Sequence, residues 1–210
     1  MASQNEPNRI GTAYKVFFLG KDGKLYPPVI PNENRLDTVV GKWLPCSCPE
    51  IACYTKNGRP KVKSGGLGTR GRSLGYLAFR PGWHLGELPY AQQFMKRTRI
   101  DGREVWPSEL VWAVCQYSMD NDYQDEAMSY GLTNSGKFNH AYAGLPRIPE
   151  NGYYRYRTNP RPDTVEWIIT GLIKVERVLS NEEVGDILRE HGIEPPIVLS
   201  EKEYMEKTKP

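Results

Sequence analysis

The residues best suited to chemistry fall in one segment, Leu77-Ala-Phe-Arg-Pro-Gly-Trp-His-Leu-Gly-Glu-Leu-Pro-Tyr-Ala-Gln-Gln-Phe94. It holds a guanidinium (Arg80), a Pro-Gly turn, an imidazole (His84) and two stacking rings (Trp83, Tyr90). Leu88 to Met95 has helical spacing, with Pro89 in its first turn. A helix start flanked by Arg80 and His84 would hold a pyrophosphate, and Trp83 or Tyr90 a nicotinamide or a base. The competing reading is purely structural: Trp83 and Phe94 pack the core, and His84 is a satisfied loop histidine.

A second group is basic. Between Tyr54 and Arg72 lie Lys56, Arg59, Lys61, Lys63, Arg70 and Arg72 with no acid, interleaved with five glycines. With Tyr153-Tyr-Arg-Tyr-Arg157 and Arg161, these cations and aromatics form the pair that single-stranded nucleic acid uses, Arg155 and Arg157 included. Snorkelling arginines on a tyrosine-rich strand would look the same.

Cysteines are the third group. Cys46, Cys48 and Cys53 share one short stretch and Cys115 is remote. Cys-x-Cys-x4-Cys lacks the paired knuckles of a zinc site, so no metal is expected and reduced thiols are the simpler reading. No phosphate-binding loop of the Gly-Lys-Ser/Thr type is present, and Gly65-Gly-Leu-Gly68 lacks the strand-to-helix setting of a dinucleotide fingerprint. His140 and His191 have no acidic or cysteine neighbours around them.

The elements that must position these groups read as α+β: one domain of mainly antiparallel strands, a few short helices and long loops. Residues 1–12 are expected to be disordered and 13–194 to form the domain. Within it 45–75 is read as a mobile, basic, glycine-rich loop, and 195–210 as a frayed acidic tail. Ala13 to Leu19 and Leu25-Tyr26 flank an Asp22-Gly23 turn and predict a hairpin. Leu110 to Tyr117 predicts a buried strand, and Asp122 to Tyr130 one or two helical turns. Thr164 to Thr170 and Leu172 to Leu179 predict one strand bent at Gly171, or two meeting there. Ser180-Asn-Glu-Glu183 is a capping box that opens a helix to His191.

Among 210 residues, 39% are apolar and 25% charged, with 20 Gly and 17 Pro. That excludes a coiled coil, a collagen-like repeat and a fully disordered chain. The net charge is only +3, but residues 180 to 210 carry eight acids against four bases, so the basic character lies in the body. The longest apolar stretch, around Trp167 to Val175, is too short and interrupted to span a bilayer, and the first residues have no basic start followed by an apolar run. A cytoplasmic location without membrane contact is the expectation.

From about residue 75 to 180 the order of elements is similar to ADP-ribosyltransferase-like folds. The residues that carry the likeness are Gly82-x-His-Leu-Gly-x-x-Pro-x-Ala-x-x-Phe94, then Val111-Trp-Ala-Val114, then Val165-Glu-Trp-Ile-Ile-Thr-Gly-Leu-Ile-Lys-Val175. The resemblance implies NAD as co-substrate, His84 in the nicotinamide cleft, Tyr90 packed nearby, Arg80 on the pyrophosphate and Glu166 polarising the ribose hydroxyl. It implies transfer of ADP-ribose to a protein or nucleic-acid acceptor. The chain also resembles a domain of phage and mobile-element proteins. The alternative from another class is a non-enzymatic nucleic-acid-binding or host-interaction module built on Lys61, Lys63, Arg70, Arg72, Arg155 and Arg157.

Overall fold

The computed structural model describes residues 6–32, 36–65, 75–91, 99–132, 136–139, 143–157 and 165–207. In chain order the elements are β1 (Ile10–Leu19), β2 (Leu25–Tyr26), β3 (Trp43–Pro45), β4 (Cys53–Tyr54), β5 (Pro60–Lys63), β6 (Tyr76–Ala78), β7 (Trp83–Gly86), β8 (Arg99–Ile100), β9 (Arg103–Pro107), β10 (Leu110–Ser118), β11 (Asn121–Asp122), α1 (Gln124–Ser129), β12 (Gly152–Tyr156), β13 (Trp167–Thr170), β14 (Leu172–Val178), α2 (Asn181–Glu190), β15 (Ile197–Leu199) and α3 (Glu201–Lys207). The chain is therefore mostly β, with mainly antiparallel sheets and three short helices among the described residues. No helix among them is long and apolar enough to cross a membrane.

The main sheet runs β11-β12-β13-β7-β1-β10-β14-β3, with β2 also on β1. β13 and β14 are separated in that order by three strands, yet only Gly171 separates them along the chain. Four strand spacings of about 4.8 Å would put them roughly 19 Å apart in a flat sheet. One residue spans no more than about 7 Å between its neighbours. The sheet must therefore curl until β13–β14, one bent strand, pairs β7 with its first half and β10 with its second. Alternation of side chains then fills the two faces differently. Ala13, Phe17, Trp83, Leu85, Ala113, Cys115, Ile168, Ile173 and Val175 pack as one cluster drawn from five strands, which requires a concave face, and small residues recur where the strands crowd. Val16, Trp106, Trp112, Tyr154, Tyr156, Trp167 and Ile169 pack on the other face, where α2 lays Val184 and Leu188.

The Asp22-Gly23 hairpin forms as expected, with Gly23 at φ 76 and its N–H donating to the Gly20 carbonyl at 2.9 Å. At α2 the Ser180 hydroxyl accepts from the Glu183 amide at 3.2 Å while Glu183 accepts from the Ser180 amide at 2.8 Å. Ser180→Ala is expected to cost about 1 kcal/mol in denaturant unfolding, with the far-UV spectrum losing little.

Several expectations change. Strand β1 begins at Ile10, opposite Ser118, inside the 1–12 segment expected to be disordered, of which residues 1–5 lie outside the described residues. The 45–75 stretch, read as a loop, contains β4 and β5, which join β6 in a three-stranded sheet. The tail is not simply frayed: β15 pairs β9 in parallel, and α3 follows with Ser200 as a capping residue, its hydroxyl accepting from the Glu203 amide at 3.4 Å. The expected predominance of antiparallel strands over a few short helices holds among the described residues.

Candidate functional site

The curl leaves a fork. One edge of β1 pairs β7 only at Tyr14↔Gly86, and pairs β2 at Phe18 and Leu19. Between those contacts Lys15, Val16 and Phe17 have no ladder partner on that edge among the described residues. A cavity of about 360 Å³ opens there. Its floor is Lys15 and Val16, and its roof is the segment 27–32 with Pro27, Pro28 and Pro31. Cys46, Ser47 and Pro49 follow β3 into one wall, Val62, Leu77 and Ala78 come from the small sheet, and Arg80, Gly82, Trp83, His84, Tyr156 and Trp167 complete it. No carboxylate lines the cavity among the described residues.

Gly82 sets the path from Arg80 into β7. Its φ of +124 suits glycine, and a Cβ there would meet Ile169 Cγ2 at 2.5 Å. Past the Pro81-Gly82 turn, Trp83–Gly86 is thus a strand and not a loop, antiparallel to β13 through His84↔Ile169. Beyond it residues 88–91 are not helical, and 92–95 lie outside the described residues, so no helix terminus faces Arg80 and His84 among the described residues.

His84 is held at both ring nitrogens. Nε2 lies 3.0 Å from the Arg80 carbonyl, which can only accept, so Nε2 carries the proton. Nδ1 is then the acceptor for the Tyr156 hydroxyl at 3.5 Å. Burial pushes the imidazole down to about 4, with Lys15 and Arg80 adding repulsion. The ring is neutral at physiological pH and works as a hydrogen-bonding fixture, not a cation. The Arg80 guanidinium lies 4.6 Å from the Tyr156 ring centroid and its Nε donates to the Ala143 carbonyl at 3.1 Å. Trp83 is pinned by its indole N–H, which donates to the Leu44 carbonyl at 3.0 Å.

Arg80, Trp83 and His84 all line the cavity. Glu166 does not join them. Opposed residues of a ladder share a face, so Ile169 and His84 face one way and Ile168, Leu85 and Arg155 the other. The Glu166 carboxylate lies with Arg155 at 3.7 Å and Arg157 at 3.8 Å, on the side of the sheet away from His84 and outside the cavity lining. Tyr90 is also elsewhere, stacked on Trp106 at 6.4 Å in the core.

The basic group is divided as well. Lys61 and Lys63 alternate with buried Val62 on β5 and point away from the cavity wall that Val62 forms. Arg155 and Arg157 are engaged by Glu166, and Arg157 also lies 4.0 Å from Glu87. Arg70, Arg72, Arg161 and His140 lie outside the described residues. Among the described residues no three His, Cys, Asp or Glu side chains gather as a metal site. Cys115 is buried in the concave cluster and its thiol is pushed up to about 12, while burial takes Cys46 to about 11.

Lys15 and Trp167 are cavity residues that sequence reasoning missed, and Tyr156 was assigned to the nucleic-acid group instead. The signal for Lys15 was its place at the inward beat of Ala13-x-Lys15-x-Phe17 in an apolar strand. Compared with family models, curated proteins and solved structures, the chain matches none of them.

Proposed function

We propose that the chain is a ligand-binding domain that takes an anionic, aromatic molecule, with NAD or another adenine nucleotide as the first candidate, in the cavity at the fork of the sheet. The observation that carries this reading is the composition of the cavity: the cations Lys15 and Arg80, the rings of Trp83, Tyr156 and Trp167, and no acid among the described lining residues. Positive charge facing a cavity with no acid among its described lining residues favours an anion, and indole or phenol faces favour a planar ring. A volume of about 360 Å³ falls in the range of small-molecule sites and suits a mononucleotide, or one half of a dinucleotide. For NAD these residues would offer cations to the pyrophosphate and rings to one base. Transfer of ADP-ribose needs a carboxylate at the ribose as positive charge develops, and Glu166 is paired with two arginines on the other face. The proposal is therefore binding, carried by one α+β domain in a reducing cytoplasm that suits four free cysteines.

Titration with NAD, followed by tryptophan fluorescence, tests it, since Trp83 and Trp167 both line the cavity. Saturable quenching is expected, and Arg80→Gln should weaken it about tenfold, as loss of a charge-assisted contact worth roughly 1.5 kcal/mol implies. An unchanged spectrum at millimolar NAD, AMP and ADP-ribose would remove the reading.

A further inference from the structure

A buried amine needs an explanation of its own. Lys15 is 7% exposed, the least exposed charged side chain described. Its Nζ donates one hydrogen bond, to the His84 carbonyl at 3.2 Å, and lies 5.2 Å from the Trp83 ring and 5.5 Å from the Phe17 ring. No carboxylate pairs with it among the described residues. An ammonium has three donors, so two are left without a protein acceptor, and the group lines an open cavity. Buried donors in this state are rare because each lost partner is costly.

We propose that Lys15 is the anchor for the anionic oxygens of the ligand, a phosphate or a carboxylate, and that the site holds its ligand only while this amine is charged. This rests on the binding reading above and gives it a chemical class. In the free protein burial brings Lys15 down to about 8. An anion seated against the ammonium would reverse that shift, so binding takes up a proton where the free amine has lost one. Affinity should be level below pH 8 and fall as pH rises above it, toward tenfold per unit. The other groups around Lys15 are His84 on β7, neutral in this window, the thiols of Cys115 on β10 and Cys46 after β3, both protonated in it, and Arg80 and Tyr156 across the cavity.

The test compares AMP, adenosine and benzoate on the wild-type chain and on Lys15→Met, from pH 7 to 9.5. Wild type should bind AMP or benzoate at least tenfold tighter than adenosine; which of the two is preferred tells phosphate from carboxylate. Lys15→Met should lose tenfold or more for the anions, little for adenosine, and yet melt at a higher temperature at pH 7, because an apolar isostere relieves a buried charge. A lysine kept for structure alone would lower the melting temperature instead and leave anion affinity unmoved, which overturns the anchor. Should the variant not fold, the wild-type profile decides, since affinity flat to pH 9.5 also overturns it. Anion binding that ignores pH and the substitution leaves the cavity reading standing without the anchor. Absence of any binding by wild type removes both.

Discussion

Gly171→Ala is expected to be among the most damaging single substitutions in the chain, costing at least about 3 kcal/mol or preventing folding at 37 °C. A Cβ at this position would stand 1.9 Å from the Pro149 carbonyl oxygen and 2.6 Å from its carbon, both backbone atoms that no rotamer change can move. The residue is fixed on both sides: its N–H donates to Gly152 at 3.0 Å, and its carbonyl accepts from the Cys46 amide at 2.7 Å. Relief would have to come from the corner where β13 passes into β14, and with it the curl that closes the sheet. Urea unfolding of the purified variant measures the loss; a midpoint within error of wild type would mean that the corner has slack. The segment 149–152 would then be free to retreat.

Acid should unfold the protein earlier than its carboxylates alone would require. His84 titrates near 6.5 when unfolded and is held down to about 4 by burial in the fold. As pH falls through 6.5 the unfolded chain takes up a proton that the folded chain refuses, so stability is full above 6.5 and lost progressively down to about 4. The residue is only half-buried as a whole, which trims the effect to roughly 2–3 kcal/mol. His84→Gln removes the titration, so its stability should change less than wild type between pH 6.5 and 4.5. Parallel curves for the two proteins would place the acid lability elsewhere.

How much of this was legible depended on whether the partner of a segment was local. The Asp22-Gly23 hairpin, the buried strand at 110–118 and the Ser180–Glu183 cap each carry their cause within a few residues, and each formed. The bend at Gly171 was legible as a bend, but not that its two halves would pair β7 and β10. Asp101-Gly102, with φ 50 and 79, joins β8 to β9 and was a readable hairpin signal that the sequence reading passed over. Strand β7 was hidden because Pro81-Gly82 announces a turn, while the ladder that extends Trp83–Gly86 comes from residues more than eighty positions away. β15 was hidden likewise, since parallel pairing with β9 leaves no local mark.

The site divides along the same line. Arg80, Trp83 and His84 are neighbours in sequence and remained neighbours in space. Glu166 was matched to them by motif order, and strand parity decided otherwise: a single step of register along β13 turns a side chain to the opposite face. Lys15 was passed over as one cation in a hydrophobic strand. Only the missing ladder contact between Tyr14 and Phe18 turned that position into the floor of a cavity.

The roof of that cavity holds Pro27, Pro28 and Pro31 within six residues. Each ring fixes φ and removes an amide hydrogen. Such a canopy offers carbonyls but few hydrogens, so it repels rather than grips an anion and leaves charge recognition to the amine below. It also has little freedom to surrender when a guest arrives. A pocket roofed this way discriminates by fit to a shape already set, and tolerance for bulkier guests would have to come from the walls.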